Sequence, residues 1–142
     1  MRGIKFKAYI YDLTDENSHP LEIDIRAGKI WDVASINFKD QIVEIMDDDG
    51  GVWEYELNDE IALMQYTDTN DKNGVEIYTG YIVKFISRLD GSKRMGTVRY
   101  WAGDAAFLIE CEREIFFLFH DALNREVIGN IYENPEILKD IK

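Results

Sequence analysis

The segment TNDKNG (69–74) is the nearest this chain comes to a ligand constellation. It sets Asp71, Asn73 and Gly74 in the register of a calcium loop, where oxygen donors at alternate positions close on one cation. Thr69 occupies the first donor position, however, and Gly80 stands where a bidentate glutamate completes such a site. Asn73-Gly74 is also a strong turn dipeptide, so the segment reads as a chain reversal. Asp47, Asp48 and Asp49 are adjacent, and neighbouring side chains on extended backbone diverge. DDDGG (47–51) therefore reads as a hairpin tip, with Gly50 and Gly51 free to take positive φ. Neither metal nor cofactor is expected.

Nucleophilic chemistry would need Cys111 activated by a base, with His120 brought to it across a hairpin. Nothing around either residue builds an oxyanion hole, and an inert, partly buried cysteine is the simpler reading. His19, in the polar stretch ENSHP, reads as solvated. The sequence carries no G-x-S-x-G, no phosphate-binding glycine loop and no Cys/His zinc spacing. The expectation is a protein that is not an enzyme. One cysteine permits no internal disulfide, and MRGIKFKAYIYD alternates instead of forming an export signal, which points to a cytoplasmic location. No apolar run approaches the roughly 20 residues that span a bilayer, so no membrane contact is expected.

Charge separates two kinds of surface. The net charge is −12, and residues 40–71 hold 11 carboxylates with no Lys or Arg. Residues 84–99 reverse the sign, with Lys84, Arg88, Lys93, Arg94 and Arg99 against Asp90 alone, and Trp101 follows with Tyr100. Cations beside aromatics hold single-stranded nucleic acid in small barrels, which makes this stretch the candidate nucleic-acid contact. Whole-chain acidity opposes it, and a solvated hairpin accounts for the same residues. The acidic stretch would instead suit a basic partner protein. Homo-oligomer contact is expected through IFFLF (115–119), where Ile115, Phe116, Phe117 and Phe119 make both faces of a strand apolar.

The elements that would position these residues are strands. VWEYEL (52–57), IVKFI (82–86) and TVRYW (97–101) alternate with period two, placing Trp53, Tyr55, Leu57, Val83, Phe85, Val98 and Tyr100 toward a core. Further strands are expected near 3–11, 21–26, 28–38, 41–47, 61–66, 105–110, 114–120 and 125–132. LDGSK (89–93) reads as a second hairpin tip, and Gly80 as the relief of a bend before IVKF. Helical signal is confined to the end, where Asn134 would cap PEILKDI with Pro135 in the first helical position.

MRGIKFKAYIYD at the start, LMQYTDTNDKNGVEIYTGYIVKF in the middle and REVIGNIYENPEIL at the end together resemble the YopX family of phage and prophage proteins. The family pattern is closer to YTGLKDKNGKEIYEGDIV. Here Asp68, Thr69 and Asn70 depart from it after Thr67, and Thr79 and Tyr81 replace the acids flanking Gly80. A turn and strand that persist without those acids suggest a structural motif. The resemblance implies a phage or prophage accessory protein in the bacterial cytoplasm, with a C-terminal part similar to small SH3-like β-barrels. The expected fold is mainly β: an N-terminal β-sheet module (1–66), a C-terminal SH3-like barrel module (67–133) and a short helical tail (134–142). The expected function is contact with other proteins: further copies of itself, or a basic host or phage protein. A nucleic-acid-binding module built on the barrel is the alternative.

Overall fold

Apolar residues at alternate positions, punctuated by glycine turns, give eleven strands and one short helix among the described residues. The computed structural model describes residues 5–14, 17 and 24–139. The strands are β1 (Phe6–Ile10), β2 (Ile30–Asn37), β3 (Ile42–Met46), β4 (Val52–Glu56), β5 (Ile61–Asn70), β6 (Glu76–Tyr78), β7 (Tyr81–Ser87), β8 (Lys93–Trp101), β9 (Ala106–Glu110), β10 (Ile115–Phe117) and β11 (Ala122–Asn130); α1 covers Glu136–Lys139. They form two antiparallel sheets, β4-β3-β2-β1-β5-β6 and β10-β9-β8-β7-β11. The chain divides into two compact units, Gly3–Gln65 and Tyr66–Lys142. The dividing point falls inside β5, whose first half pairs with β1 and whose second half pairs with β6.

In the N-terminal unit, the inward positions Ala8, Ile10, Val43, Ile45, Tyr55 and Ile61 form one core, with Trp31, Val33 and Ile36 packed against it. The tip at 47–51 joins β3 to β4 as expected, but only Gly50 takes positive φ, at 84°. Asp47 holds the tip by accepting from Gly51 N–H and Asp49 N–H (2.7 and 3.0 Å). Trp53, expected in the core with Tyr55, is half-exposed, and its face is covered by the Arg26 guanidinium at 3.6 Å. The strand expected at 21–26 lies outside the described residues for 21–23, and 24–26 is turn. There the Asp24 carboxylate accepts from Arg26 N–H at 2.9 Å, a local bond that competes with ladder pairing. His19 also lies outside the described residues.

In the C-terminal unit, Val83, Phe85, Val98, Ile109, Phe116, Leu118 and Ala122 pack with Ile77 as the second core. Tyr100 points the same way as Val98 but lies beyond the last buried row; it is half-exposed and meets Phe107 edge-on at 5.2 Å. The sheet is not a closed barrel, because β10 and β11 are its two edges. The groups that would close it have other partners. Phe117 N–H donates to the Asp121 carboxylate and Phe117 C=O accepts from Asp121 N–H (3.1 and 2.9 Å). Arg125 Nη1 donates to the carbonyls of Leu118 and Ala122 (3.1 and 2.9 Å). The helix is a single turn over its described residues, and Asn134 does not cap it through its side chain. That oxygen accepts from Asn130 N–H at 3.2 Å instead.

Candidate functional site

Asp71, the residue that gave the reversal its calcium-like look, is buried, and backbone donors occupy its carboxylate. Oδ1 accepts from Asn73 N–H and Val75 N–H (2.8 and 2.9 Å), which fixes the turn. Oδ2 accepts from Val127 N–H at 2.9 Å, 56 residues away, where β11 is irregular against β7. Lys72 N–H adds a bond to Arg125 C=O at 2.8 Å. Burial opposes ionisation of Asp71, but the N–H groups of Val127, Val75 and Asn73 outweigh it and hold the pKa below the ordinary carboxylate value. Gly80 extends the joint: its φ is 90°, its N–H donates to Val98 C=O, and its C=O accepts from Ile131 N–H. Bonds between stretches this distant in sequence leave no local signal. The recurrence of both stretches in one family pattern was the only hint.

Cys111 and His120 are at opposite ends of the β9–β10 hairpin. Cys111 N–H bonds Glu114 C=O at the turn, whereas His120 follows β10 and its Nδ1 lies 3.0 Å from the Asp121 carboxylate. Burial pushes the Cys111 thiol up to about 11, so it stays protonated at neutral pH. They form no nucleophile–base pair.

The IFFLF stretch sorts by alternation. Phe116 and Leu118 are core, while Ile115 and Phe117 on the outer face are about half exposed and Phe119 is 81% exposed. Phe117 and Phe119 line a groove of about 400 Å³ with Phe107, Ala106 and the Thr67–Thr69 backbone bend. Asp68 at φ 66° makes that bend, and the buried Thr67 hydroxyl donates to Ile77 C=O at 2.8 Å to hold it. The surface is aromatic, concave and built on strands. Asp68 and His120 also line it.

The cations of 84–99 do not form one track. Lys84, Lys93 and Arg94 meet in a depression of about 260 Å³, joined by Lys72 and Asn124. Arg99 lines a different depression, beside Glu110 and Glu112. Arg88 sits at the end of β7, where its N–H bonds Asp121 C=O, and Trp101 ends β8 half-exposed. Lys72 joined the group only through the folded joint, which no spacing rule reveals.

The family model for YopX protein matches residues 23–139, most of the chain and both halves of the Asp71 joint. This chain belongs to the YopX family. The crystal structure of protein EF1440 from Enterococcus faecalis is similar to this YopX chain with a TM-score of 0.50 and 22% identity, covering 95% of this chain and 97% of that one. At that identity the likeness shows the fold. No curated protein matches. The joint between residues 71–75 and 125–131 thus lies inside the family match, whereas the opening MRGIKFKAYIYD lies before it.

Proposed function

We propose that this chain is a non-enzymatic phage or prophage accessory protein, working in the bacterial cytoplasm through protein contacts, first among them a second copy of itself. The carrying observation is the aromatic groove of the C-terminal unit with Phe119 standing proud at its rim. A protruding aromatic beside a groove of matching chemistry is self-complementary. Two copies related by a two-fold axis would each insert Phe119 into the other's groove, the arrangement of an isologous dimer. Exposed aromatics of this size are the usual anchors of interfaces. The Asp121 cap over Phe117 disfavours strand addition at the β10 edge, so the contact is side chain to side chain.

A basic host or phage protein is the second partner in this reading. Glu44 stands directly opposite Glu54 across β3–β4, with Glu56 two residues on, in a stretch without Lys or Arg. Facing carboxylates repel, and a cationic partner relieves them. We read the C-terminal unit as an opened SH3-like barrel, because β7 to β10 form a meander and β11 returns beside β7.

Light scattering on the eluting protein tests the proposal. A dimer is expected at concentrations on the order of tens of micromolar. Phe119→Ser should return the monomer, while Leu89→Ser, at an equally exposed leucine away from the groove, should remain dimeric. A wild type that is strictly monomeric, or a Phe119→Ser variant that still dimerises, overturns it.

A further inference from the structure

The depression beside the Asp71 joint has no place in the protein-contact reading. We propose that it is a binding site for a terminal phosphate group, the dianionic end of a phosphate monoester.

The geometry carries this. Lys72 Nζ and Lys84 Nζ both reach the same oxygen, Glu126 Oε1, at 3.1 and 3.4 Å. One carboxylate oxygen therefore serves two ammonium groups, leaving unused N–H donors on each, while the Asp71 carboxylate also feels the charge of Lys72. The Lys72 contact, followed by the second cation at Lys84, holds Glu126 ionised below its ordinary pKa, which keeps the pair fixed at neutral pH. Lys93 lines the same depression, is exposed, and makes no ion pair among those of the described residues. Arg94 is already engaged by Glu114 and Asp90 at 2.8 and 3.5 Å, so it contributes positioning more than free charge. Asn124, held at φ 52°, adds an amide at the lip, and Phe85 contributes apolar lining. An apolar wall reduces solvent screening of the charges beside it.

Compactness selects the ligand. Nucleic-acid backbone is read by cations spread along a groove, whereas here three lysines converge on about 260 Å³ and Arg99 lies in another depression. A point cluster matches a phosphate end, with its extra charge, better than a run of diesters. Lys72 reaches the cluster because Asp71 pins its turn to β11 and Lys72 N–H bonds Arg125 C=O. The joint thus places a cation that the basic hairpin alone lacks.

Amide shift mapping by NMR on the full chain at low salt tests the proposal. Inorganic phosphate should produce saturable shifts confined to amides around 72, 84, 93–94 and 124, at roughly millimolar Kd. Lys93→Ala, at an exposed position, should weaken binding about tenfold, one lost charge-assisted contact, while Lys39→Ala should leave it unchanged. A 5′-phosphorylated dinucleotide should bind more tightly than its 5′-hydroxyl counterpart. Non-saturating shifts scattered over many lysines overturn the site. Unchanged affinity in Lys93→Ala overturns it as well. Equal binding of the two dinucleotides would assign the depression to backbone diesters, and the terminal-phosphate proposal falls. None of these results bears on the dimer measurement.

Discussion

Asp71 shows how a residue type typical of metal sites can be spent on backbone. Its three N–H partners are donors that a side chain without a carboxylate leaves short, and at least one of them, Val127 N–H, belongs to another part of the chain. Asp71→Asn keeps the size but loses the charge and one acceptor oxygen. The expected loss is about 3 kcal/mol in urea melts, from weakened charge-assisted bonds and an unpaired buried donor. The sign with pH follows from the lowered folded pKa. The stabilisation is complete above the unfolded carboxylate value, about 3.9, and drains as pH falls through the lower folded value. Wild type should therefore lose stability steeply below about pH 4, and Asp71→Asn should show a flatter acid limb. Parallel slopes in the two proteins would remove Asp71 from the account.

At the scale of elements, alternation was a sound guide wherever a strand had one wet face. Val83, Phe85 and Val98 are buried as their spacing implied, and the tips at 47–51 and 89–93 join the strands on either side. The failures have named causes. Tyr100 keeps the right phase but outruns the core, and phase says nothing about where a core ends. The stretch at 24–26 lost to an Asp24 carboxylate that bonds its own backbone. Barrel closure depends on which partner the edge groups of β10 take, and Phe117 N–H takes the Asp121 carboxylate, a choice that alternation does not report. The site residues split the same way: Lys84, Lys93 and Arg94 meet, while Lys72 was unforeseen because Asp71–Val127 pairing is non-local. Two glycines in these strands are under steric demand that sequence did not flag, Gly129 against the ends of the Asn134 and Ile137 side chains and Gly96 against backbone. A Cβ on Gly96 in β8 would lie 2.5 Å from Glu110 O and 2.8 Å from Ile109 Cγ2 on β9. Gly96→Ala should push the two strands apart and cost about 2 kcal/mol or more. Gly74→Ala meets open space and suffers only from its φ of +83°, a penalty of about 1 kcal/mol. Thermal melts that rank the two variants the other way would contradict the packing of β8 on β9.

For the whole molecule the governing number is the net charge of −12. Residues 1–71 carry 17 acidic and 6 basic side chains, while 72–142 carry 11 and 10, so repulsion is concentrated in the first half of the sequence. Such repulsion destabilises the compact state and is screened over about 10 Å at 0.1 M salt. Raising sodium chloride from about 0.01 to 0.5 M should therefore raise Tm by several degrees. The same screening should strengthen self-association, since each copy approaches another acidic copy. A Tm that falls with added salt would mean that attractive ion pairs such as Lys7–Asp32 outweigh the repulsion.

The Asp121 cap on β10 also decides how this protein spoils. IFFLF is uncharged, aromatic and free of proline, the composition from which fibrils are nucleated. While Asp121 is ionised, the N–H of Phe117 is occupied and the outer edge of β10 cannot template another strand there. The His120 contact, with help from Phe117 N–H and Arg88, holds Asp121 ionised below the usual carboxylate range. Acid acts on the two protections in sequence: the net charge that keeps copies apart vanishes near the isoelectric point of about 4.5, and protonation weakens the Asp121 acceptor only at lower pH, where the chain is already cationic. Solubility and edge protection are thus lost at different pH, so the solubility minimum near the isoelectric point should leave the β10 edge capped, and ordered stacking seeded at residues 115–119 is expected only below it.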